Sequence, residues 1–361
     1  QRVGFKHTPN LAGSLEYDSG GKEPSTLAVI QTFEHNEGDG WTYTLDELGR
    51  YYERVMTLRQ ADEPLDPTVP EIPLLDLAER NIPDHAHDLF ERYLQSTELL
   101  GRRTGELHLA LSAPLGDKAF QPEAYTLMKQ RSLSQSLRNT AQYGLHLLRK
   151  QFHNLPEETQ QSGRVLLERE EELITTLRSI NNRRLGGMRI RCHGDFHLGQ
   201  VLWTGRDFII IDFEGEPARA LTERRLKWTP LRDVAGMLRS FQYAAHTGLD
   251  DQVRRGNIAH TPEALAAYVP WQKFCPSWTS AAFLRSYLET VRATYPDLLP
   301  RNHDALRALL DAWLLEKAMY EVSYELNNRP KWVHIPIRGV LETLDLTDTS
   351  GLTSTPDGES S

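Results

Sequence analysis

One break in pattern constrains this chain more than any other feature. From residue 44 to 181 and again after Pro230 the apolar residues fall at helical spacing, but between them the pattern changes. Met188–Arg191 and Phe208–Ile211 read as short strands bracketing two polar loops, Cys192-His193-Gly194-Asp195-Phe196-His197-Leu198-Gly199-Gln200 and Asp212-Phe213-Glu214-Gly215. A mostly helical body must therefore hold a small β element at its centre and present two carboxylate-bearing loops beside each other.

The helical segments are expected at 44–56, 89–111, 123–152, 157–181, 231–246, 262–270, 278–294 and 303–327. Thr44-Leu45-Asp46-Glu47 has the form of a capping box opening the first of them. Residues 60–88 are acidic, with Pro64, Pro67, Pro70, Pro73 and Pro83, and read as an extended loop. Residues 11–17 and 27–33 read as two strands joined by the turn Asp18-Ser19-Gly20-Gly21-Lys22. A lone hairpin is marginal in water, so partner strands are expected upstream. The polar run from Asp345 reads as a disordered tail.

Composition enters mainly as exclusion. The net charge of −9 over 361 residues opposes a phosphate-backbone binder, so no nucleic-acid partner is expected. No run approaches the ~20 apolar residues of a membrane span. Two cysteines, Cys192 and Cys275, cannot make a disulfide framework and favour a reducing, cytoplasmic setting.

The spacing of the two loops carries the chemistry. In kinase-type phosphoryl transfer a loop Asp accepts the acceptor hydroxyl's proton. An amide residue five positions later holds magnesium, and a second Asp after a strand holds it too. Asp195, Gln200 and Asp212 stand in that order and at that spacing. Mg²⁺ is a hard cation that takes oxygen ligands and keeps waters and nucleotide phosphates, so one carboxylate and one amide oxygen suffice from the protein. Glu214 is placed to add an outer carboxylate. His193 and Asp233 are supporting candidates; Asp233 either favours its helix dipole or bonds the backbone of the Asp195 loop. The His193–His197 pair has a zinc-like i, i+4 spacing, but Gly194 opposes the helix such a pair needs. Arg219, Arg224 and Arg225 form a basic cluster that either pairs with Glu214, Glu216 and Glu223 or faces the transferred group.

The run His193–Gln200, the segment Ile211–Arg219 (IDFEGEPAR) and the helix start Asp233–Phe241 resemble bacterial maltokinases, as do Gln31–Trp41 and Glu316–Glu325 with Asn328-Arg329-Pro330 and Trp332. That family is similar in fold to aminoglycoside phosphotransferases and protein kinases. The resemblance implies an α+β, bilobal protein-kinase-like fold. Residues 1–40 would be the remnant of a truncated N-terminal β lobe and hinge, 41–345 a mainly helical C-terminal lobe, and 346–361 a tail. It implies ATP and Mg²⁺ as cofactors and phosphorylation of maltose at its anomeric hydroxyl to maltose 1-phosphate. That product feeds α-glucan (glycogen) synthesis from trehalose, with a trehalose synthase as fused or associated partner. Adenine would take hinge hydrogen bonds near Thr32, Phe33 and Glu34, and the sugar would meet Tyr320, Glu321 and Tyr324. The lysine and phosphate-covering turn of such a fold are not visible here, so this stretch alone is expected to be inactive. A related small-molecule kinase, or an incomplete kinase domain serving as an interaction module, are the alternative readings.

Overall fold

The computed structural model describes residues 3–349 apart from 19, 21–23, 62–65 and 114–115. The chain opens with the expected hairpin, strands β1 (Leu11–Tyr17) and β2 (Ser25–Gln31), paired antiparallel from Leu11 opposite Gln31 to Tyr17 opposite Ser25. Part of its turn lies outside the described residues. The hairpin is exposed on both faces, with Leu15, Leu27 and Ile30 all open to solvent.

Everything after it is dominated by helices. Helix α1 (Gly40–Gln60) starts four residues before the expected capping box, because Asp39 accepts the Thr42 N–H at 2.7 Å and supplies the cap instead. Thr44 is then a buried interior residue whose hydroxyl accepts from Tyr93. The proline-rich stretch contains two short helices, α2 (Leu74–Ala78) and α3 (Asp84–Phe90), where an extended loop was expected. Pro73 and Pro83 stand immediately before them, where a missing N–H costs no helical bond. Helix α4 (Arg92–Leu111) follows, then the two-residue strand β3 (Glu123–Ala124) and α5 (Leu127–Gln151). The expected helix over 157–181 breaks at Arg169 into α6 (Glu157–Glu168) and α7 (Glu170–Ser179).

The central β element is β4 (Met188–Arg189), which pairs with β3, and the hairpin of β5 (Val201–Trp203) with β6 (Phe208–Ile210). A short turn α8 (Leu221–Arg224) leads to α9 (Leu231–Arg254), α10 (Pro262–Ala266), α11 (Val269–Thr294) and α12 (His303–Asn328). Helix α11 runs straight through Pro276, which is why its start was expected only at 278. The last helix, α13 (His334–Thr349), extends past residue 346, so the first part of the expected tail is helical; residues 350–361 lie outside the described ones.

Helices α4, α9, α11 and α12 carry the core, with Trp278, Phe283, Tyr287 and Leu315 fully buried. Gly101 lets α4 lie against α11, since a Cβ there would come within 2.2 Å of the Phe283 carbonyl oxygen. Among the described residues no helix is long and apolar enough to cross a membrane.

Candidate active site

The β5–β6 hairpin sets the geometry of the two polar loops. Its register pairs Val201 with Ile210, and one step further the Ile211 N–H donates to the Gln200 carbonyl at 3.0 Å. Antiparallel pairing therefore places Gln200 and Asp212, twelve positions apart in sequence, side by side at the open end. The Gln200 Nε2 donates to Asp212 Oδ2 at 3.0 Å. Asp212 itself has φ 62°, a left-handed conformation uncommon outside glycine that clusters at functional sites.

The fit to a magnesium ion rests on donor chemistry. A carboxylate and an amide oxygen adjoin at an exposed edge, and that is the share a protein gives an ion whose other ligands are phosphates and water. Among the described residues no three His, Cys, Asp or Glu side chains gather as a metal cluster. Glu214 is well exposed and lies 3.9 Å from Arg224 Nη1, so it stands at the periphery.

Asp195 sits in the preceding loop, largely withdrawn from solvent. Burial raises its carboxyl, but the His197 hydrogen bond and the charges of Lys317 and His197 outweigh that and hold it at about 2. His197 Nδ1 accepts the Gly199 N–H at 3.1 Å, and its Nε2 lies 3.8 Å from Asp195 Oδ2. His193 is buried and its pKa is lowered, burial outweighing the nearby carboxylates. As a neutral ring it donates from Nε2 to the Ile211 carbonyl at 2.8 Å and accepts the Asp195 N–H at Nδ1 at 3.4 Å. It thus ties the two loops together.

Asp233 performs the second of its two expected roles. Its Oδ2 accepts the His193 N–H at 2.7 Å and its Oδ1 the Gly194 N–H at 2.9 Å. His108 Nε2 lies 3.2 Å from the same carboxylate, and His108 Nδ1 meets the Tyr287 hydroxyl at 3.0 Å. Burial raises the Asp233 pKa, but these partners outweigh it and the net shift is downward. Gly194 has φ 90°, and a Cβ there would come within 3.3 Å of the Gly215 Cα, so the two loops meet at glycines. Gly236 does the same for α9, where a Cβ would fall 2.5 Å from the Phe196 carbonyl oxygen.

A shallow recess opens beside Asp195, walled by Glu216 and Arg219 of the second loop and by Trp313, Glu316, Lys317 and Tyr320 of α12. It encloses about 20 Å³, so an acceptor the size of a sugar would rest across its mouth. Arg219 is held by Glu316 at 3.0 Å and Glu223 at 2.5 Å, with its guanidinium 5.7 Å from the Tyr320 ring centre.

Of the three expected acceptor residues, the structure brings Tyr320 to this recess. Tyr324 lies one turn further along α12, exposed, with Arg329 over its ring at 5.5 Å. Glu321 differs from expectation. It points into the body, where its Oε2 accepts from Arg239 Nε at 2.8 Å, because position 321 falls on the buried face of α12. Of the three residues expected at the hinge, Thr32 has its N–H already engaged, donating to the Asn10 carbonyl at 2.8 Å. The Phe33 side chain is exposed against His35. Sequence reasoning passed over Lys317, Glu316 and His197 as site residues. The signal for Lys317 was its place one turn before Tyr320 and Glu321 on the same helix, and for His197 its position two residues after Asp195.

A helical lobe whose central hairpin aligns an Asp–Gln pair beside a second, ionised Asp defines a kinase-like phosphotransferase. The model of the phosphotransferase enzyme family matches residues 77–268, more than half of the chain, and the chain belongs to that family. It is similar to the glucosamine kinase of Streptacidiphilus jiangxiensis, 30% identical over 164 residues, 44% of this chain and 31% of the relative. It is also similar to that of Mycolicibacterium smegmatis, 29% identical over 191 residues, 52% of this chain and 42% of the relative. The chain therefore spans less than half the length of these curated relatives. Among solved structures, a glucosamine kinase in complex with glucosamine, ADP and inorganic phosphate superposes with a TM-score of 0.69 at 21% identity, over 98% of this chain and 72% of that one. A second crystal form of glucosamine kinase gives 0.65 at 21% identity, over 97% and 68%. These superpositions establish the kinase-like fold.

Proposed function

We propose that this chain carries the phosphoryl-transfer machinery of an ATP-dependent sugar kinase, with maltose phosphorylated at its anomeric hydroxyl to maltose 1-phosphate. The observation that carries the reading is the Asp195 carboxylate at the head of an open recess with Tyr320 of α12 in its wall. Tyr324 lies one helical turn, ~5.4 Å, further along α12, outside the recess, and would meet the second ring of an acceptor that rests across the mouth.

In this reading Asp195 is the general base. It accepts the acceptor hydroxyl's proton as that oxygen bonds the γ-phosphorus and the bond from the γ-phosphorus to the bridging oxygen breaks, releasing ADP; its low pKa keeps it ionised at neutral pH. Gln200 and Asp212 would hold Mg²⁺, which supplies neutralisation of charge on the transferring phosphate. His193 and Asp233 keep the two loops in register. Lys317 stands in the same recess as the base and would lend positive charge to the transferred group, while Arg219, neutralised by Glu316 and Glu223, frames the wall. Residues 1–40 would sit on the nucleotide side, with adenine bonded by the backbone of Phe33 and Glu34, and 41–345 on the acceptor side. The two free thiols fit a cytoplasmic setting.

A second reading is favoured by the names of the relatives, in which glucosamine is the acceptor. Glu216 at the recess would then face the sugar's ammonium group. The experiment that separates them is phosphorus NMR of the product formed from ATP–Mg²⁺ with maltose, glucosamine, glucose and trehalose in parallel. A phosphorus signal coupled to the anomeric proton of maltose supports the first reading. Transfer to glucosamine in preference to maltose supports the second, and transfer to none of the four by the full-length protein that contains this chain overturns both. The trehalose synthase partner and the glucan route follow only from the first outcome.

A further inference from the structure

A larger cavity lies on the other side of the helical body. About 390 Å³ in volume, it is framed by α9, α11, α12 and α13 and roofed by the segment 69–74. None of its lining residues belongs to the Asp195 recess.

Four polar groups in its wall have hydrogen-bonding capacity that no described residue uses. Asp311 is 8% exposed, yet among the described residues its carboxylate has no hydrogen bond and no ion pair. Arg307 and Asp76 act on it only through charge. The Ser280 hydroxyl, 4% exposed, is likewise without a partner among the described residues. Gln242 accepts at Oε1 from Arg239 but leaves its Nε2 donors open. Gln272 donates from Nε2 to His246 Nδ1 at 3.1 Å and leaves its Oε1 open. Buried polar groups are rarely left so, because each costs the desolvation of an unmade bond.

The pattern selects a ligand chemistry. The open groups are an acceptor (Gln272), a donor (Gln242) and two that can be either (the Asp311 carboxyl and the Ser280 hydroxyl), as a set of hydroxyl groups would require. Of the cations in the wall, Arg239 is paired with Glu321 at 2.8 Å and Arg338 with Glu342 at 2.9 Å. Lys273 is exposed, and Glu71, Asp311, Glu342 and Asp345 stand in the same lining, so the wall carries no surplus of positive charge to select an anion. Leu77, Leu314 and Ile335 supply apolar surface between the polar groups. Pockets of ~300 Å³ and upward, mostly apolar with a few convergent polar groups, are the size and make-up of small-molecule sites.

We propose that this cavity is a second binding site, separate from the phosphoryl-transfer recess, for a neutral saccharide whose hydroxyls bond Asp311, Ser280, Gln242 and Gln272. The site stands whatever acceptor the Asp195 recess takes. It shares two helices with that recess. Asp311 and Leu314 precede Glu316 on α12, and Gln242 and His246 follow Asp233 on α9.

The test is saturation-transfer NMR and calorimetric titration of the protein with maltose, with glucose and with glucosamine. It uses the wild type, Asp311→Leu, Gln242→Leu and, as a control in the other site, Tyr320→Ala. Hydrogen exchange is followed in residues 69–77, 272–280 and 335–343. Saccharide binding that slows exchange in those segments is expected to persist in Tyr320→Ala. It should weaken by about tenfold or more in each cavity variant, since each removes one buried hydrogen bond. Gln242→Leu, at a half-buried position, keeps the test informative if Asp311→Leu does not fold. Binding abolished by Tyr320→Ala and untouched by both cavity variants would overturn the proposal. So would no binding of either sugar, or binding of glucosamine alone, which would mark an ammonium site instead.

Discussion

Replacing Asp233 by Asn probes how the Asp195 loop is held. In the wild type one carboxylate accepts two backbone N–H groups, from His193 at 2.7 Å and Gly194 at 2.9 Å, in a fully buried setting. Asn keeps the size but offers one oxygen. Its NH₂ group must then face an N–H donor or His108, so one backbone bond is lost and a donor is left against a donor. A hydrogen bond to a charged group contributes ~1.5–3 kcal/mol, and a buried donor left unmade costs ~1–3 kcal/mol more. The expected loss of unfolding free energy is thus about 2.5–6 kcal/mol. It should be read from urea unfolding with the slope unchanged. The sign with pH is fixed by the downward shift of Asp233. Its contribution is present above the unfolded-state value of ~3.9 and is lost as pH falls through the lower folded-state value. The difference between wild type and variant should therefore hold from neutral pH down to about pH 4 and shrink below it. The same displacement of the loop should lower kcat far more than it changes either KM, because ångström-scale misplacement of a base costs ~10²-fold. A loss below ~1 kcal/mol together with an unchanged kcat would refute the claim that Asp233 holds this loop.

Two further outcomes follow from the buried carboxylates. Glu321→Gln should cost ~3–5 kcal/mol by leaving the Arg239 guanidinium buried without its counter-charge, while the acceptor KM stays within about twofold. Thermal denaturation and steady-state kinetics on the one variant check both halves. Asp311→Asn should stabilise the protein at pH 8. Burial, against the weaker pull of Arg307, lifts the Asp311 carboxyl to about 7, so the folded state retains a proton that the unfolded chain has released above ~4. The gain is bounded at about 4 kcal/mol, from ~1.36 kcal/mol per pKa unit, and should vanish as pH falls to ~4. Urea unfolding at both pH values is the check.

The placement of Gln200 beside Asp212 was legible in the chain, because a strand–turn–strand pattern between them brings its two ends together. The position of Asp233 was legible too, but its partner was not: His108 lies 125 residues away, and only the packing of α4 against α9 and α11 brings it there. Glu321 misled for a related reason. Helical spacing tells which residues share a face, not which face a neighbouring helix will cover, and α9 covers the one that carries position 321. The two short helices in 60–88 were hidden by prolines that stand just outside them. Helix α11 was shortened for the opposite reason, since Pro276 lies inside a helix that tertiary packing sustains. The wide cavity under residues 69–74 left no local signal, since its walls come from four separate helices.

The central claim is that Asp195 takes the acceptor's proton while Gln200 and Asp212 serve the metal. Asp195→Asn in the full-length protein, assayed by steady-state kinetics with the acceptor and by calorimetric titration of ATP–Mg²⁺, separates these roles. Loss of a general base should lower kcat by about 10²–10⁴-fold. Affinity for ATP–Mg²⁺ should stay near that of the wild type, because the carboxylate and amide at 212 and 200 are intact. An unchanged kcat, or a fall in ATP–Mg²⁺ affinity that accounts for the lost rate, would contradict the assignment.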